Sequence, residues 1–549
     1  MSVCGSPDCW RNRVTYQLLT DRFARGDGGT EQCDDLADYC GGTWRGALEK
    51  LDYLQDLGVE AIWISPIIAN VAKGYHGFWG KSLIDLNPRF GTAEDLQALV
   101  HAVHSRGMLV MVGVVANHMG QTWEDVPSIT PFGNSSFYHG CTECKAAGGG
   151  HNGTGCNATV CDCWVDDYDD AEQCLVCQLF GLPDLDQDHP VVRSELLGYA
   201  ERLKEVYGVD AIRIDTVPYV KGEFWEELTT ASGVFAIGEV STSNDTKCLE
   251  YISSGAMDAT INYPLYYALS DVFVSKYAMG RLAGQVAAQR AAYPSGALGL
   301  LGNFAENHDV SRLPYMTQDP QLRRSFVTYT LTAEGLPIIY YGQEQELKGA
   351  SKMEANLNRE ALWPTQFRQD SNTAGMYGTI RTINALRKRV PAGDFAQAEQ
   401  EQGAVRDDLF VFVRGKVVVA LTNRGQDGGS ISEFVDGMPW TAGTTVCNVF
   451  NPACDCQQIQ DGYRLQVTLD GGEPKVYAEQ QYMSVAPGAG GDCPGGGGAG
   501  GLAVWRDCAA AAVVVLVVAA VCVALRAPRL CRRRGTVDRP AKEGGIPLV

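Results

Sequence analysis

Eight short apolar runs rich in valine and isoleucine, each followed by a stretch with helical spacing, constrain the fold of this chain most. The runs are VTYQLL (14–19), AIWISP (61–66), MLVMVGVV (108–115), AIRID (211–215), FAIGEV (235–240), DATINY (258–263), LGLLGNF (298–304) and PIIYYG (337–342). Strands that alternate with helices favour a parallel sheet with helices packed outside it, and eight such units suffice to close a barrel. The sequence therefore predicts an α/β fold, a (β/α)8 TIM barrel over 1–117 and 187–391.

Two regions depart from this alternation. Residues 118–186, after the third strand, hold seven cysteines and many glycines, and so long a connection predicts a separate Cys-rich loop domain. From residue 392 to 483 the pattern changes to alternating strands with turn signals, which predicts a C-terminal antiparallel β-sandwich. A glycine-rich tether is expected at 484–503.

The charge of the chain limits its partners. The formal net charge is −20 and the pI is near 4.9, which disfavours nucleic acid and anionic lipid head groups. A neutral sugar polymer is unaffected by this charge. We expect no nucleic-acid partner and a monomer.

Cysteines and sequons predict passage through the secretory pathway. Of the 19 cysteines, 16 lie at or before Cys493, and sequons begin at Asn134, Asn152, Asn157 and Asn244. Such cysteine density is typical of an oxidising compartment, and glycosylation of a sequon requires entry to the lumen. Because the chain opens with MSVCGSPDCW and no recognisable signal peptide, we expect the export signal to be missing from this sequence.

A charge-free run near the C-terminus predicts a membrane anchor. Residues 508–525 read CAAAAVVVLVVAAVCVAL, about the length that spans a bilayer core, and arginines follow at once. A buried helix is the alternative. We interpret 504–525 as a transmembrane helix, with the basic tail 526–549 in the cytoplasm and the preceding domains outside the cell or in the lumen.

Three carboxylates follow the predicted fourth, fifth and seventh strands. These are Asp215, Glu239 and Asp309, and the C-terminal rim of such a barrel is where reacting groups gather. Cleavage of a glycoside needs a protonated acid and a nearby carboxylate, about 5 to 5.5 Å apart in retaining enzymes. Arg213 lies two residues before Asp215, so both side chains face one side of the strand. The pattern predicts glycoside hydrolysis.

At this point the chain resembles a family, the alpha-amylases, and among them the secreted fungal type. The likeness runs from about Trp10 to Tyr477. The blocks that carry it are LLTDRFAR (18–25), YCGGTW (39–44), KLDYLQDLG (50–58), YHGFWG (75–80), VVANHMG (114–120), LPDLD (182–186), IRIDTV (212–217), IGEV (237–240), FAENHD (304–309) and IIYYGQEQ (338–345).

The resemblance implies a role for each matching residue. Asp215 would be the nucleophile, Glu239 the general acid/base, and Asp309 the group that grips the reacting sugar. The residues implied to contact the substrate are His76, Trp79, His118, Arg213, His308 and Arg359. The resemblance also implies a structural Ca²⁺ held by the side chains of Asn117 and Asp184 and by backbone carbonyls near Cys161 and Tyr219. Zinc on the CxxC and CxC clusters of 118–186 is the competing interpretation; in an oxidising lumen we favour disulfides.

Four positions depart from the family's pattern. Gly113 stands where the family has an aspartate that partners the active-site arginine, and Phe78 stands where it has a tyrosine. Pro218 and Tyr219 replace a Lys-His pair that follows the nucleophile's block. These changes affect the expected efficiency and chain-length preference rather than the reaction class.

The sequence thus predicts a retaining, endo-acting hydrolase of alpha-1,4 bonds in starch- or glycogen-like glucans, working through a covalent glycosyl-Asp intermediate. Three alternatives stay open at this point. They are an alpha-glucanotransferase, a pseudoenzyme that only binds glucan, and a non-catalytic surface protein of amylase shape. The last is disfavoured because all three acids are present and the predicted anchor follows the barrel.

Overall fold

The computed structural model describes residues 4–11, 13–150, 163–350 and 357–483. Its first ten strands are β1 (Thr15–Gln17), β2 (Ala61–Ile64), β3 (Ile68–Asn70), β4 (Gly80–Leu86), β5 (Leu109–Val114), β6 (Ala211–Ile214), β7 (Phe235–Gly238), β8 (Ala259–Thr260), β9 (Gly302–Phe304) and β10 (Leu336–Tyr340). Eight of them form one parallel sheet in the order β8-β7-β6-β5-β2-β1-β10-β9. A parallel bridge between Ile261 and Gly302 joins its two edges, so the predicted barrel is confirmed. Strands β3 and β4 pair separately and antiparallel.

Helices surround the barrel strands. They are α1 (Pro7–Trp10), α2 (Thr20–Phe23), α3 (Trp44–Glu49), α4 (Leu51–Asp56), α5 (Ala93–Ser105), α6 (Cys141–Ala146), α7 (Ala171–Val176), α8 (Pro190–Glu205), α9 (Gly222–Ser232), α10 (Asp245–Ser253), α11 (Tyr263–Phe273), α12 (Gly280–Ala292), α13 (Leu313–Met316), α14 (Pro320–Thr332) and α15 (Met376–Arg389).

Helix α5 illustrates how the sequence sets these elements. Thr92 and Asp95 exchange side-chain and backbone hydrogen bonds in a capping box, which satisfies amides that the first turn leaves unpaired. Leucines and valines at helical spacing are buried towards the barrel. Gly107, with φ of 70°, follows the helix in a left-handed conformation that glycine adopts without a steric penalty.

The seventh predicted strand is only partly a strand. Leu298–Leu300 forms a 3-10 turn, and extended structure begins at Gly302. The prediction for 298–301 was wrong because a short apolar run reports burial, and buried turns share that signal with strands.

The Cys-rich segment contains α6, α7 and two 3-10 turns within its described part. The sulfur of Cys144 lies beside those of both Cys163 and Cys177, so it bonds to one of them at a time. Disulfides also join Cys4 to Cys9, Cys33 to Cys40 and Cys447 to Cys456. The expectation of disulfides is confirmed, and the boundaries 118–186 stay a prediction.

The C-terminal region is an antiparallel sandwich. Its strands are β11 (Gln400–Val405), β12 (Phe410–Arg414), β13 (Val417–Leu421), β14 (Ser430–Val435), β15 (Thr445–Asn448), β16 (Cys456–Gln458), β17 (Leu465–Asp470) and β18 (Lys475–Glu479). Six form one sheet, and β14 pairs with β17 in a second. Buried side chains of both sheets, such as Val418 and Val467, share one hydrophobic cluster.

The predicted tether, membrane helix and cytoplasmic tail (484–503, 504–525 and 526–549) lie outside the described residues. Across the described part of the chain, no helix combines the length and apolar character needed to cross a bilayer.

Candidate active site

The three predicted carboxylates follow the ends of barrel strands and are almost fully buried. Asp215 follows β6 directly, Glu239 follows β7 directly, and Asp309 lies in the loop after β9. The exposed fractions of their side chains are 7%, 4% and 6%. The Asp215 amide donates to the Val114 carbonyl at 2.9 Å, and the Glu239 amide to the Ile214 carbonyl at 2.8 Å, so backbone hydrogen bonds extend past both strand ends.

One guanidinium connects two of these acids. Arg213 pairs through Nη1 with Asp215 Oδ1 and through Nη2 with Glu239 Oε1, the latter at 2.6 Å. Its Cζ atom lies 5.3 Å from the ring centroid of Trp63 and 5.8 Å from that of Phe78. Because both carboxylates reach the same planar fork, they lie side by side at the barrel mouth.

Asp309 is held by a second guanidinium and by its own loop. Arg359 Nη2 lies 3.0 Å from Asp309 Oδ1, and Arg359 Nε donates to the His308 carbonyl at 2.9 Å. His308 Nε2 lies 3.1 Å from Asp309 Oδ2. The Asp309 amide donates to Asn307 Oδ1 at 2.8 Å, which fixes the direction of the loop. The structure therefore brings the three predicted acids and both predicted arginines together.

Glu239 is a buried carboxyl group whose pKa lies above neutrality. Burial, aided by the charges of Asp215 and Asp309, raises its pKa to about 8 against the opposing pull of Arg213. The Thr216 amide donates to Glu239 Oε2 at 3.3 Å, with Thr216 in the left-handed region at φ of 49°. A buried glutamic acid that is protonated near neutral pH suits a general acid.

His308 is a neutral imidazole at the same site. Burial lowers its pKa to about 3, and the positive charges of Arg359 and Arg213 act in the same direction. The Phe78 ring stacks on it, with centroids 5.1 Å apart and planes inclined by 7°.

Comparison with known families identifies the family to which this chain and its fold belong. A family model described as alpha amylase, catalytic domain, matches residues 17–376, and one described as alpha-amylase, domain C, matches residues 405–490. The chain belongs to the alpha-amylase family.

Fungal amylases are similar along most of their length. An alpha-amylase of Saccharomycopsis fibuligera is 32% identical over 495 residues, which cover 87% of this chain and 93% of the relative. Alpha-amylase 1 of Schwanniomyces occidentalis is 33% identical over 500 residues, covering 88% and 92%. The structure of an alpha-amylase from Malbranchea cinnamomea superimposes with a TM-score of 0.77 at 33% identity, covering 87% of this chain and 98% of that one. The chain is thus an alpha-amylase-type glycoside hydrolase.

The remaining residues that the amylase resemblance implied as sugar contacts form an aromatic wall beside His308. The rings of His76 and Trp79 meet edge to face at 4.5 Å. The Phe78 amide donates to His76 Nδ1 at 3.1 Å, and His118 Nε2 donates to the Phe78 carbonyl at 3.1 Å. These side chains contact one another as a single surface beside His308. Their contacts with sugar stay a prediction.

The glycine that departs from the amylase pattern faces the arginine. Gly113 on β5 pairs in register with Arg213 on β6. Among the described residues, Arg213 Nε is buried without a hydrogen-bond partner. A Cβ atom at Gly113 would lie 2.9 Å from Pro66 Cδ, so the space beside the glycine is filled by a proline ring. The arginine therefore lacks the third partner that the family's aspartate would supply.

Another departure, at Pro218 and Tyr219, lies in a 3-10 turn shortly after Asp215. Val217–Tyr219 forms this turn, and Tyr219 packs into the cluster around Cys144 and Cys177. The altered pair thus connects the Cys-rich segment to the end of β6.

Two buried contacts at the site were missed from the sequence. Gln17 Nε2 lies 2.9 Å from His308 Nδ1, and the Tyr263 hydroxyl lies 3.4 Å from Glu239 Oε1. Gln17 had a detectable signal, because a buried amide inside the apolar run VTYQLL requires a hydrogen-bond partner. Tyr263 had none, since tyrosine is ordinary in a barrel core.

Two of the four predicted calcium ligands lie on adjacent segments and fit a hard cation. The Leu185 amide donates to the Asn117 carbonyl at 2.8 Å, and both Asn117 and Asp184 are buried. Burial raises the pKa of Asp184 to about 7, although His139 Nδ1 lies 2.7 Å from its Oδ2 atom. Buried oxygen donors of this kind suit Ca²⁺. Cys161 lies outside the described residues.

Proposed function

We propose that this protein hydrolyses alpha-1,4-glucosidic bonds within starch- or glycogen-like glucans, with retention of anomeric configuration. The observation that carries the proposal is the convergence of Asp215, Glu239 and Asp309 on two buried arginines. The family membership supports the substrate class, because the similar fungal proteins are named alpha-amylases.

In the first step, Glu239 gives its proton to the glycosidic oxygen while Asp215 attacks the anomeric carbon. The C–O bond breaks, the shortened glucan leaves as an alcohol, and a glycosyl ester forms on Asp215. A pKa of about 8 keeps Glu239 protonated at neutral pH, and the ion pair with Arg213 orients the nucleophile.

In the second step, ionised Glu239 takes a proton from water, whose oxygen attacks the same carbon and releases Asp215. Asp309 accepts hydrogen bonds from sugar hydroxyls, with Arg359 fixing its orientation. His308 donates from Nε2 to the same sugar. Its low pKa keeps it neutral throughout, so its charge does not compete with the oxocarbenium-like transition state.

Calcium is proposed as a structural ion. Asn117 and Asp184 would hold it, and it would neutralise a buried carboxylate where the Cys-rich segment meets the barrel.

A lumenal or cell-surface location is also proposed, with 504–525 as the anchor. Two of the four sequon asparagines, Asn134 and Asn244, are exposed in the described part of the chain, as glycosylation requires. The disulfide pairs support an oxidising compartment.

Turnover of maltoheptaose and soluble starch by the full chain, with calcium present, tests the proposal. We expect reducing sugar from the wild type, retention of configuration by NMR, and a loss of at least about 1,000-fold in Asp215→Asn. Asp52→Asn is the control, because its side chain is 86% exposed on α4. Absence of turnover in the wild type would refute the proposal, and products longer than the donor would indicate glucan transfer instead.

A further inference from the structure

Gln17 is a buried polar residue between two buried apolar neighbours, Tyr16 and Leu18. It lies on β1 inside the barrel with 2% of its surface exposed. Its amide nitrogen contacts His308 Nδ1 at 2.9 Å, across 291 positions of sequence. Its amide oxygen Oε1 is buried and has no hydrogen-bond partner among the described residues. An unpaired buried carbonyl costs stability, so the amide is not explained by folding alone.

The geometry around His308 determines which ring nitrogen carries the proton. His308 Nε2 lies 3.1 Å from Asp309 Oδ2, and a carboxylate oxygen this close favours a proton on that nitrogen over a lone pair. The neutral ring has only one N–H group, so Nδ1 must then accept a hydrogen bond. The Gln17 NH₂ group supplies that donor. If the Gln17 side-chain oxygen faced His308 instead of the NH₂ group, it would favour a proton on Nδ1. The unprotonated Nε2 would then place its lone pair against the Asp309 carboxylate.

We propose that Gln17 is a positioning residue that locks His308 in the Nε2–H tautomer and so keeps the single N–H group of the ring on the side of Asp309 and the sugar. Gln17 acts through His308 rather than by touching substrate. The kinetic part of this inference rests on the proposed glucan hydrolysis, whereas the tautomer itself does not.

Burial favours a neutral His308 ring, while the charged groups around it act in opposing directions. Asp309 and Asp215 favour the imidazolium, while Arg359, Arg213 and burial oppose it. Burial dominates and holds the pKa near 3, so the ring chooses between two neutral tautomers at every working pH. A neutral amide can select between them without adding charge to the site.

Three variants of the full chain test the proposal. Gln17→Leu keeps the size of the side chain and removes the donor. Gln17→Glu replaces the donor with an acceptor that favours Nδ1–H or the imidazolium. Thr15→Val is the matched control, because Thr15 lies on the same strand, is fully buried, and has a hydroxyl without a hydrogen-bond partner among the described residues.

The first readout is the ¹⁵N NMR signature of the His308 ring, assigned by its loss in His308→Gln. We expect Nε2–H alone in the wild type and Thr15→Val, and a measurable Nδ1–H or imidazolium population in both Gln17 variants. The second readout compares two measurements on each variant, the rate of maltoheptaose turnover and the temperature of thermal unfolding. Gln17→Leu should lose roughly tenfold in kcat with KM little changed, while its melting temperature stays equal or rises.

An unchanged His308 tautomer in Gln17→Leu would overturn the proposal, as would equal loss of kcat in Thr15→Val. If Gln17→Leu fails to fold, Gln17→Glu carries the same NMR test. A Gln17-dependent tautomer in a wild type that turns over no glucan would refute the proposed function and leave this inference standing.

Discussion

Replacing Arg213 with lysine tests whether one guanidinium organises the two carboxylates that we propose as the reacting groups. Arg213 contacts Asp215 through one terminal nitrogen and Glu239 through the other. Lysine keeps the positive charge but concentrates it on a single nitrogen, which cannot reproduce the planar fork. Arg213→Lys therefore isolates geometry from charge.

The expected loss follows from the contacts. A hydrogen bond to a charged group contributes about 1.5–3 kcal/mol, and the lysine forfeits at least one of two. Since a loss of about 1.4 kcal/mol corresponds to a tenfold decrease in rate, kcat/KM should fall by about 10- to 150-fold. If the contact with Glu239 is the one lost, its pKa rises further, because the Arg213 charge at 2.6 Å lowers it. The fall of kcat/KM on the alkaline side of the pH profile then occurs at a higher pH.

The assay is kcat/KM for maltoheptaose as a function of pH, with circular dichroism to verify folding. Arg387→Lys serves as the control, because Arg387 is 5% exposed and donates to the Leu331 carbonyl at 2.9 Å, outside the carboxylate cluster. It reports the effect of placing lysine in a buried arginine site. A kcat/KM in Arg213→Lys within about threefold of both control and wild type would refute the bridging role.

Three further results are expected. Gly113→Ala should lower the free energy of unfolding by about 1–3 kcal/mol in a denaturant titration, because the added Cβ would lie 2.9 Å from Pro66 Cδ; an unchanged midpoint would contradict the packing. The wild-type kcat/KM should fall as pH rises through about 8, where Glu239 loses its proton, and a flat profile to pH 10 would exclude it as the acid. Asp184→Ala should weaken calcium binding in calorimetry and reduce the calcium-dependent rise in melting temperature, and equal affinity would remove Asp184 from the site.

The barrel and its acids were predictable because each has a local signal. An apolar run followed by a carboxylate, as in AIRID, predicts both a buried strand and an acid at the C-terminal end of that strand. Asp215 and Glu239 directly follow the last residues of β6 and β7. To locate these two acids at the barrel mouth, it was therefore enough to find the carboxylate that comes immediately after each apolar run.

Contacts between distant segments were not predictable in the same way. Gln17 and His308 meet only because β1 lies two strands from β9 in the closed sheet, with β10 between them. The cysteine pairing is another case, since Cys144 lies close to both Cys163 and Cys177, and spacing in the chain favours neither. The family departure at Gly113 indicated a missing partner, but only the strand register placed it opposite Arg213.

The charge balance of the site explains why the buried cluster of acids holds one proton. Asp215, Glu239 and Asp309 face two guanidiniums, those of Arg213 and Arg359, while His308 stays neutral. With all three acids ionised the buried cluster would carry one uncompensated negative charge, which is costly away from water. Protonating one acid removes it. Among the described residues, Arg359 pairs with Asp309 alone of the three acids, whereas Asp215 and Glu239 share Arg213. Because Gly113 adds no fourth carboxylate beside Arg213, a single proton neutralises the cluster, and the raised pKa of Glu239 indicates that Glu239 holds it.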